Sequence, residues 1–170
     1  MKEQSSATES AERLTSRVED VAGPVDWAFL VAACDMARAE RLKRAFERTG
    51  AGFLHAVQTG QEVLQYFGGG GVYGNRAEYP LPKVVLLEVD LPGKDGFEVL
   101  RWLRNQRRLK TLRIVILTSH NRSAEADRAR ELGADFYLTK PNAFEDLVEM
   151  GRCLKKWLGC EQPPIHETPD

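Results

Sequence analysis

The stretch Val84-Val85-Leu86-Leu87-Glu88-Val89-Asp90-Leu91-Pro92-Gly93-Lys94-Asp95-Gly96 constrains the fold more than any other part of the chain. Its apolar run from Val84 to Leu87 has no polar interruption, the pattern of a strand buried on both faces of a parallel sheet with helices on each side. Charge arrives only where that run ends. In open parallel sheets ligands and chemistry collect beyond the carboxyl ends of the strands, so Glu88 stands where a site is expected. The segment Leu91 to Gly96 then turns the chain and leads into a helix.

The rest of the sequence repeats this alternation. Trp27 to Ala33 reads as a first buried strand, and Asp35 follows as an N-cap whose carboxylate accepts the free amides of a first helical turn. Leu42, Ala45, Phe46 and Thr49 mark one face of that helix, which stops at Gly50. Phe53 to Val57 is a short second strand, and Thr59 with Glu62 has capping-box spacing before a helix carrying Val63, Leu64 and Phe67. Asp95 with Glu98 repeats that spacing ahead of Phe97, Leu100 and Leu103. Arg113 to Leu117 is a fourth strand ending in Thr118-Ser119, followed by a helix from Ser123 to Leu132 that stops at Gly133. Asp135 to Leu138 is the fifth strand, and Asn142 with Glu145 is read as the cap of a last helix with the stripe Phe144, Leu147, Val148, Gly151, Leu154 and Leu158.

Gly68 to Pro82 is the one long connection, read as a flexible loop. It contains Gly69-Gly70-Gly71-Val72-Tyr73-Gly74, which fits GxGxxG in form, but a dinucleotide site needs a strand before and a helix after, and here a helix precedes it. Five strands alternating with five helices predict an α/β fold: a doubly wound, five-stranded parallel sheet of the flavodoxin-like (βα)5 kind. Its carboxyl edge should gather Ala33, Cys34, Asp35, Glu88, Asp90, Thr118, Ser119 and Lys140.

The 170 residues carry 24 Lys and Arg against 25 Asp and Glu, a balance that marks neither a nucleic-acid-seeking nor a strongly acidic chain. Three cysteines, Cys34, Cys153 and Cys160, lack CxxC spacing, so no disulfide framework or zinc site is expected and a reduced, cytoplasmic setting is. No run approaches the roughly 20 apolar residues of a spanning helix, so no membrane association is expected. Residues 1–24 and 159–170 read as disordered tails around a folded unit at 25–158.

Four separated motifs, in order, resemble the receiver domain of two-component response regulators: the Glu88 loop through Asp95-Gly96, Leu117-Thr118-Ser119, Leu132-Gly133-Ala134, and Tyr137-Leu138-Thr139-Lys140-Pro141. The long loop before the third strand and the closing Trp157-Leu158 look most like the small single-domain receivers that partner bacterial phytochromes. The resemblance implies a signalling protein rather than an enzyme. It makes Glu88 the equivalent of the phosphoacceptor aspartate, Thr118 the switch hydroxyl, Lys140 the phosphoryl-contacting lysine and Tyr137 the aromatic switch residue. It also implies a sensor histidine kinase or another signalling protein as partner, and no nucleic acid. With no DNA-binding or enzymatic segment apparent, output is expected through protein contact. The surface of the fourth helix, fifth strand and fifth helix, with Arg128, Tyr137, Glu149, Lys156 and Trp157, is the expected contact face and a route to a homodimer.

The departures define the expectation. An adjacent acidic pair that helps such receivers hold magnesium is replaced by Ala33 and Cys34, which offer no oxygen to a hard dication. Asp35 is turned away by strand alternation. Without a metal, a carboxylate attacking a phosphoryl group meets uncompensated repulsion, and Glu88 is one methylene longer than aspartate. A degenerate receiver without magnesium or another cofactor is therefore expected. In it Glu88 either imitates an acyl phosphate and holds an active-like state, or forms a structural ion pair with Lys140. Two other readings stand beside it: a phosphorylatable receiver that uses Glu88 or Asp90 with a non-standard metal site including Asp35, and a flavin-binding protein of similar fold. The second lacks a Ser/Thr-rich phosphate loop after the first strand.

Overall fold

The computed structural model describes residues 29–50 and 54–158, and at Leu54, Trp157 and Leu158 the backbone only. The two expected tails, Trp27, Phe53 and Cys160 fall outside the described residues. Strands β1 (Phe29–Ala32), β2 (Leu54–Val57), β3 (Val84–Glu88), β4 (Arg113–Thr118) and β5 (Phe136–Thr139) alternate with helices α1 (Met36–Glu47), α2 (Gly60–Gly68), α3 (Gly96–Arg104), α4 (Ser123–Glu131) and α5 (Phe144–Leu158). All strand pairs are parallel and the sheet order is β2-β1-β3-β4-β5. The predicted doubly wound sheet is the one observed, with strand and helix ends moved by a residue or two.

Period-two alternation sorts the strand side chains into two apolar layers. Phe29, Val31, Val84, Leu86, Val115 and Leu117 face one side, where they meet Leu42, Ala45 and Phe46 of α1 and Leu147, Val148 and Leu154 of α5. Leu30, Val85, Leu87, Ile114 and Ile116 face the other, against Val63, Tyr66 and Phe67 of α2, Phe97, Leu100 and Leu103 of α3, and Ala129 of α4. β1 and β3 are buried along their whole length, as the unbroken apolar run from Val84 requires.

The chain moves outward from β1 to β2 and then crosses to β3 on the other side of β1. This reversal opens a crevice between the carboxyl ends of β1 and β3, where open α/β sheets place their sites. The register sets Ala32 beside Leu87, Glu88 beside Leu117 and Thr118 beside Thr139, which brings the ends of four strands to one level.

Two local expectations are corrected. The connection from Gly69 to Lys83, read as flexible, is folded: Gly71–Gly74 forms a 3-10 turn, and Arg76 donates to the carbonyls of Tyr66, Phe67 and Tyr79. Tyr73 and Tyr79 stack edge-on at 5.2 Å, and both pack against Tyr66. The Gly-rich GxGxxG-like string thus closes a loop over α2, without the strand-to-helix context of a dinucleotide site. At α5, the first turn closes on the Ala143 carbonyl, which accepts from Leu147, so the cap falls one residue after Asn142. Glu145 bonds Arg48 at 2.8 Å instead of capping.

Candidate functional site

Glu88 ends β3 and is held there by backbone bonds on both sides of the strand end. Val89 N–H donates to Leu117 O and Gly96 N–H donates to Val89 O, which folds the turn back onto the strand. Gly93 takes a positive φ of 76° in this turn. Gly96 must lack a side chain, because a Cβ would lie 2.5 Å from the Glu88 carbonyl oxygen. Asp95 completes the handover to α3. Its carboxylate accepts from Phe97 and Glu98, and the Glu98 side chain accepts from Asp95 N–H, the reciprocal box that the spacing predicts.

The Glu88 carboxylate is almost withdrawn from solvent, at 6% exposure, and both of its oxygens are engaged. Oε1 accepts from Lys140 Nζ at 2.7 Å, and Oε2 accepts from the backbone N–H of Cys34 at 3.0 Å. A second cation stands behind the first: Arg38 Nη1 lies 3.9 Å from Oε2. Arg38 comes from the first turn of α1, where Asp35 caps the helix by accepting from Arg38 N–H at 2.7 Å. The guanidinium continues from Asp35 Oδ2, 3.2 Å from Nε, to the Cys34 sulfur, 3.2 Å from Nη1.

Beyond Glu88, the Thr118 hydroxyl is tied into its own strand end. It donates to His120 O at 2.9 Å and accepts from His120 N–H at 3.1 Å. Tyr137 OH shares that carbonyl at 3.2 Å and reaches Glu125 Oε2 at 3.1 Å. Burial, with the neighbouring Glu125 carboxylate, pushes the Tyr137 phenol above its ordinary range, so it stays a donor at neutral pH. Lys140 is placed by its own N–H, which donates to Thr118 O at 2.7 Å across β4 and β5.

A small pocket at this edge is lined by Arg38, Glu88, Val89, Asp90, Leu117, Thr118, Ser119 and Lys140. Of the residues expected here, Glu88, Asp90, Thr118, Ser119 and Lys140 do converge. Ala33 instead packs fully buried in the α1/α5 layer, Cys34 contributes its backbone N–H, and the Asp35 carboxylate turns to α1. Sequence reading missed Arg38, His120 and Glu125. Arg38 carries a signal in hindsight, since it follows Asp35 by three and Cys34 by four, the spacings of one helix face.

This donor set does not fit a hard dication. Where two carboxylates would be needed beside Glu88, the chain offers a buried methyl and a thiol, and Asp35 is committed to Arg38. Among the described residues no cluster of three or more His, Cys, Asp or Glu side chains is arranged to hold a metal. The Cys34 thiol is pushed up by burial and by the Glu88 carboxylate, with Arg38 pulling the other way, so it is a protonated thiol at neutral pH in this pocket. No helix among the described residues is long and apolar enough to cross a membrane.

Comparison with known proteins agrees with this fold. Residues 30–152 match the model of the response regulator receiver domain. The chain is 35% identical over 134 residues to a probable methanogenesis regulatory protein, FilR2, of Methanothrix harundinacea, covering 75% of this chain and 81% of that one. It is 31% identical over 106 residues to response regulator Rcp1 of Synechocystis, covering 62% and 70%. The phosphorylated cyanobacterial phytochrome response regulator RcpA superposes with a TM-score of 0.71 at 24% identity, covering 81% of this chain and 97% of that one.

Proposed function

This chain belongs to the response regulator receiver domain family, and from that premise we propose that it is a degenerate receiver, signalling by protein contact without magnesium-dependent phosphorylation. Proteins of this family act in two-component signalling through histidine kinases or other signalling partners.

One observation carries the proposal: the only carboxylate at the phosphoacceptor position has both oxygens committed, one to Lys140 and one to the Cys34 N–H. A carboxylate that attacks phosphorus needs positive charge on the phosphoryl oxygens to offset the repulsion of its approach. Here Lys140, the lysine that would meet those oxygens, is spent on the nucleophile itself. No magnesium enters the pocket to neutralise the approach, and the pocket works without a cofactor. Asp90, the alternative acceptor, lines the same pocket but is exposed, whereas Glu88 is buried and paired with Lys140.

Thr118 bears on which state the pocket holds. Were Glu88 acting as an acyl-phosphate mimic, its carboxylate should draw the Thr118 hydroxyl inward. That hydroxyl bonds His120 on both counts, which supports the structural ion pair over the mimic. Signalling then runs through a surface whose shape is fixed, and the α4–β5–α5 face, with Arg128, Tyr137, Glu149 and Lys156, is the proposed contact, including contact with a second copy.

The test is incubation with acetyl phosphate and excess magnesium chloride, followed by intact-mass spectrometry, beside a variant carrying Ala33→Asp, Cys34→Asp and Glu88→Asp. The natural protein should gain no phosphoryl mass while the restored variant gains one group. Magnesium-dependent labelling of the natural protein, at Glu88 or Asp90, would overturn the proposal in favour of a working receiver with a non-standard metal site.

A further inference from the structure

The Glu88 carboxylate has more positive charge around it than one ion pair requires. Lys140 approaches from the end of β5, and Arg38 approaches from the opposite side, off the first turn of α1. A half-exposed arginine on a helix would ordinarily be a solvated side chain with an i,i+3 partner of small energetic value. Arg38 differs in where its fork ends. With Nε on Asp35, its Nη1 is directed past the Cys34 sulfur toward Glu88, and it lines the pocket alongside Lys140 and Asp90.

Three contacts fix it there. Asp35 takes Arg38 N–H with one oxygen and Arg38 Nε with the other, so the residue that caps α1 also anchors the guanidinium. The Cys34 sulfur takes Nη1, while the Cys34 N–H holds Glu88 Oε2. Cys34 and Asp35 together therefore present Arg38 and Glu88 to one another across the β1–β3 crevice. A dication that bound Glu88 would stand within a few ångströms of this guanidinium, and like charges at that range repel more strongly in a partly buried site than in bulk water.

We propose that Arg38 is the pocket's built-in counter-cation: it brings from α1 the positive charge that a divalent ion would otherwise bring to the ends of β1 and β3, and it closes the pocket to such an ion. This rests on the degenerate-receiver reading and deepens it, because it makes the loss of metal an exclusion by charge and not solely a loss of ligands. The pocket then keeps one electrostatic state whatever the divalent-ion concentration.

The experiment measures Mn²⁺ binding by electron paramagnetic resonance of the free ion, with circular dichroism confirming that each variant is folded. The natural protein should bind none. Restoring the acids alone, Ala33→Asp with Cys34→Asp, should bind weakly. Adding Arg38→Gln to that pair should tighten binding at least about tenfold, whereas adding Arg38→Lys, which keeps the charge, should not. Mn²⁺ affinity that does not depend on residue 38, or that is raised equally by Gln and Lys, overturns the proposal, as does an absence of binding in every variant. Phosphoryl transfer is scored separately by mass, so a natural protein that becomes phosphorylated defeats the functional reading, while one that is inert but insensitive at residue 38 defeats only this inference.

Discussion

Lys140 Nζ donates to Glu88 Oε1 at 2.7 Å, and with side chains only 16% and 6% exposed the pair ties the end of β5 to the end of β3. Arg38 and the Cys34 N–H complete the shell, so the strand edge closes on itself around one carboxylate.

Removing the lysine should expose what that closure is worth. Lys140→Met leaves a buried carboxylate with one N–H and the Arg38 guanidinium 3.9 Å away, and should destabilise the fold by about 2–4 kcal/mol in urea denaturation. Glu88→Gln keeps an acceptor for only one of the two donors and sets an amide NH2 against the other, and should cost about 1–3 kcal/mol. Combining Lys140→Met with Glu88→Leu should recover most of the loss, since neither charge is then left unpaired.

Gly96 is the hinge between acceptor strand and helix. Its missing Cβ would lie 2.5 Å from the Glu88 carbonyl and 3.1 Å from the Val89 Cα, both backbone atoms that cannot swing aside. Gly96→Ala should lower stability by about 1–3 kcal/mol and shift the Glu88 and Val89 amide signals in a ¹H–¹⁵N spectrum more than those of β2.

Two rings in the aromatic cluster give opposite pH limits. Burial pushes the Tyr66 phenol from 10.0 up to about 12, so its share of stability is full below pH 10 and is lost as pH rises from about 10 to about 12. Burial pulls the His55 imidazole below 6.5, so its share is full above that value and is lost as pH falls through the lowered folded value. Thermal melts from pH 4.5 to 11.5 should decline at both ends. Tyr66→Phe should flatten the alkaline limb, though it also removes the bond to Pro80 O, and His55→Gln should flatten part of the acid limb.

Cys34 should be a slow thiol. Its raised pKa and its place under Arg38 predict iodoacetamide labelling at pH 7.5 on the order of tenfold slower than at the exposed Cys153, read by peptide mapping. Equal rates would mean that the Arg38–Cys34–Glu88 arrangement opens freely in solution.

Arg76 holds the 69–83 connection to α2. Arg76→Ala deprives the Tyr66, Phe67 and Tyr79 carbonyls of a shared donor, and should cost about 1–2 kcal/mol and make the segment cleavable by protease while the sheet stays intact.

Features written within a few residues were legible in the sequence. The apolar run at Val84 announced a doubly buried strand, Asp95 and Glu98 announced the α3 cap, and Thr118 and Lys140 were correctly placed at the site edge. The 69–83 connection was misread because its order comes from Arg76 reaching back to α2 and from tyrosines packing on Tyr66, contacts that no periodicity encodes.

The site divides in the same way. The sequence by itself determined which side chains stand at the strand ends and that the first strand brings no acids, because strand period and residue type are local properties. Only the tertiary structure decided what surrounds Glu88. The β1–β3 neighbourhood places the Cys34 amide and Arg38, residues 54 and 50 positions earlier in the chain, around a carboxylate that β5 reaches from the other side. Electrostatic interaction depends on distance in space, and the parallel crossovers that create those distances are set by the packing of all five helices on the sheet.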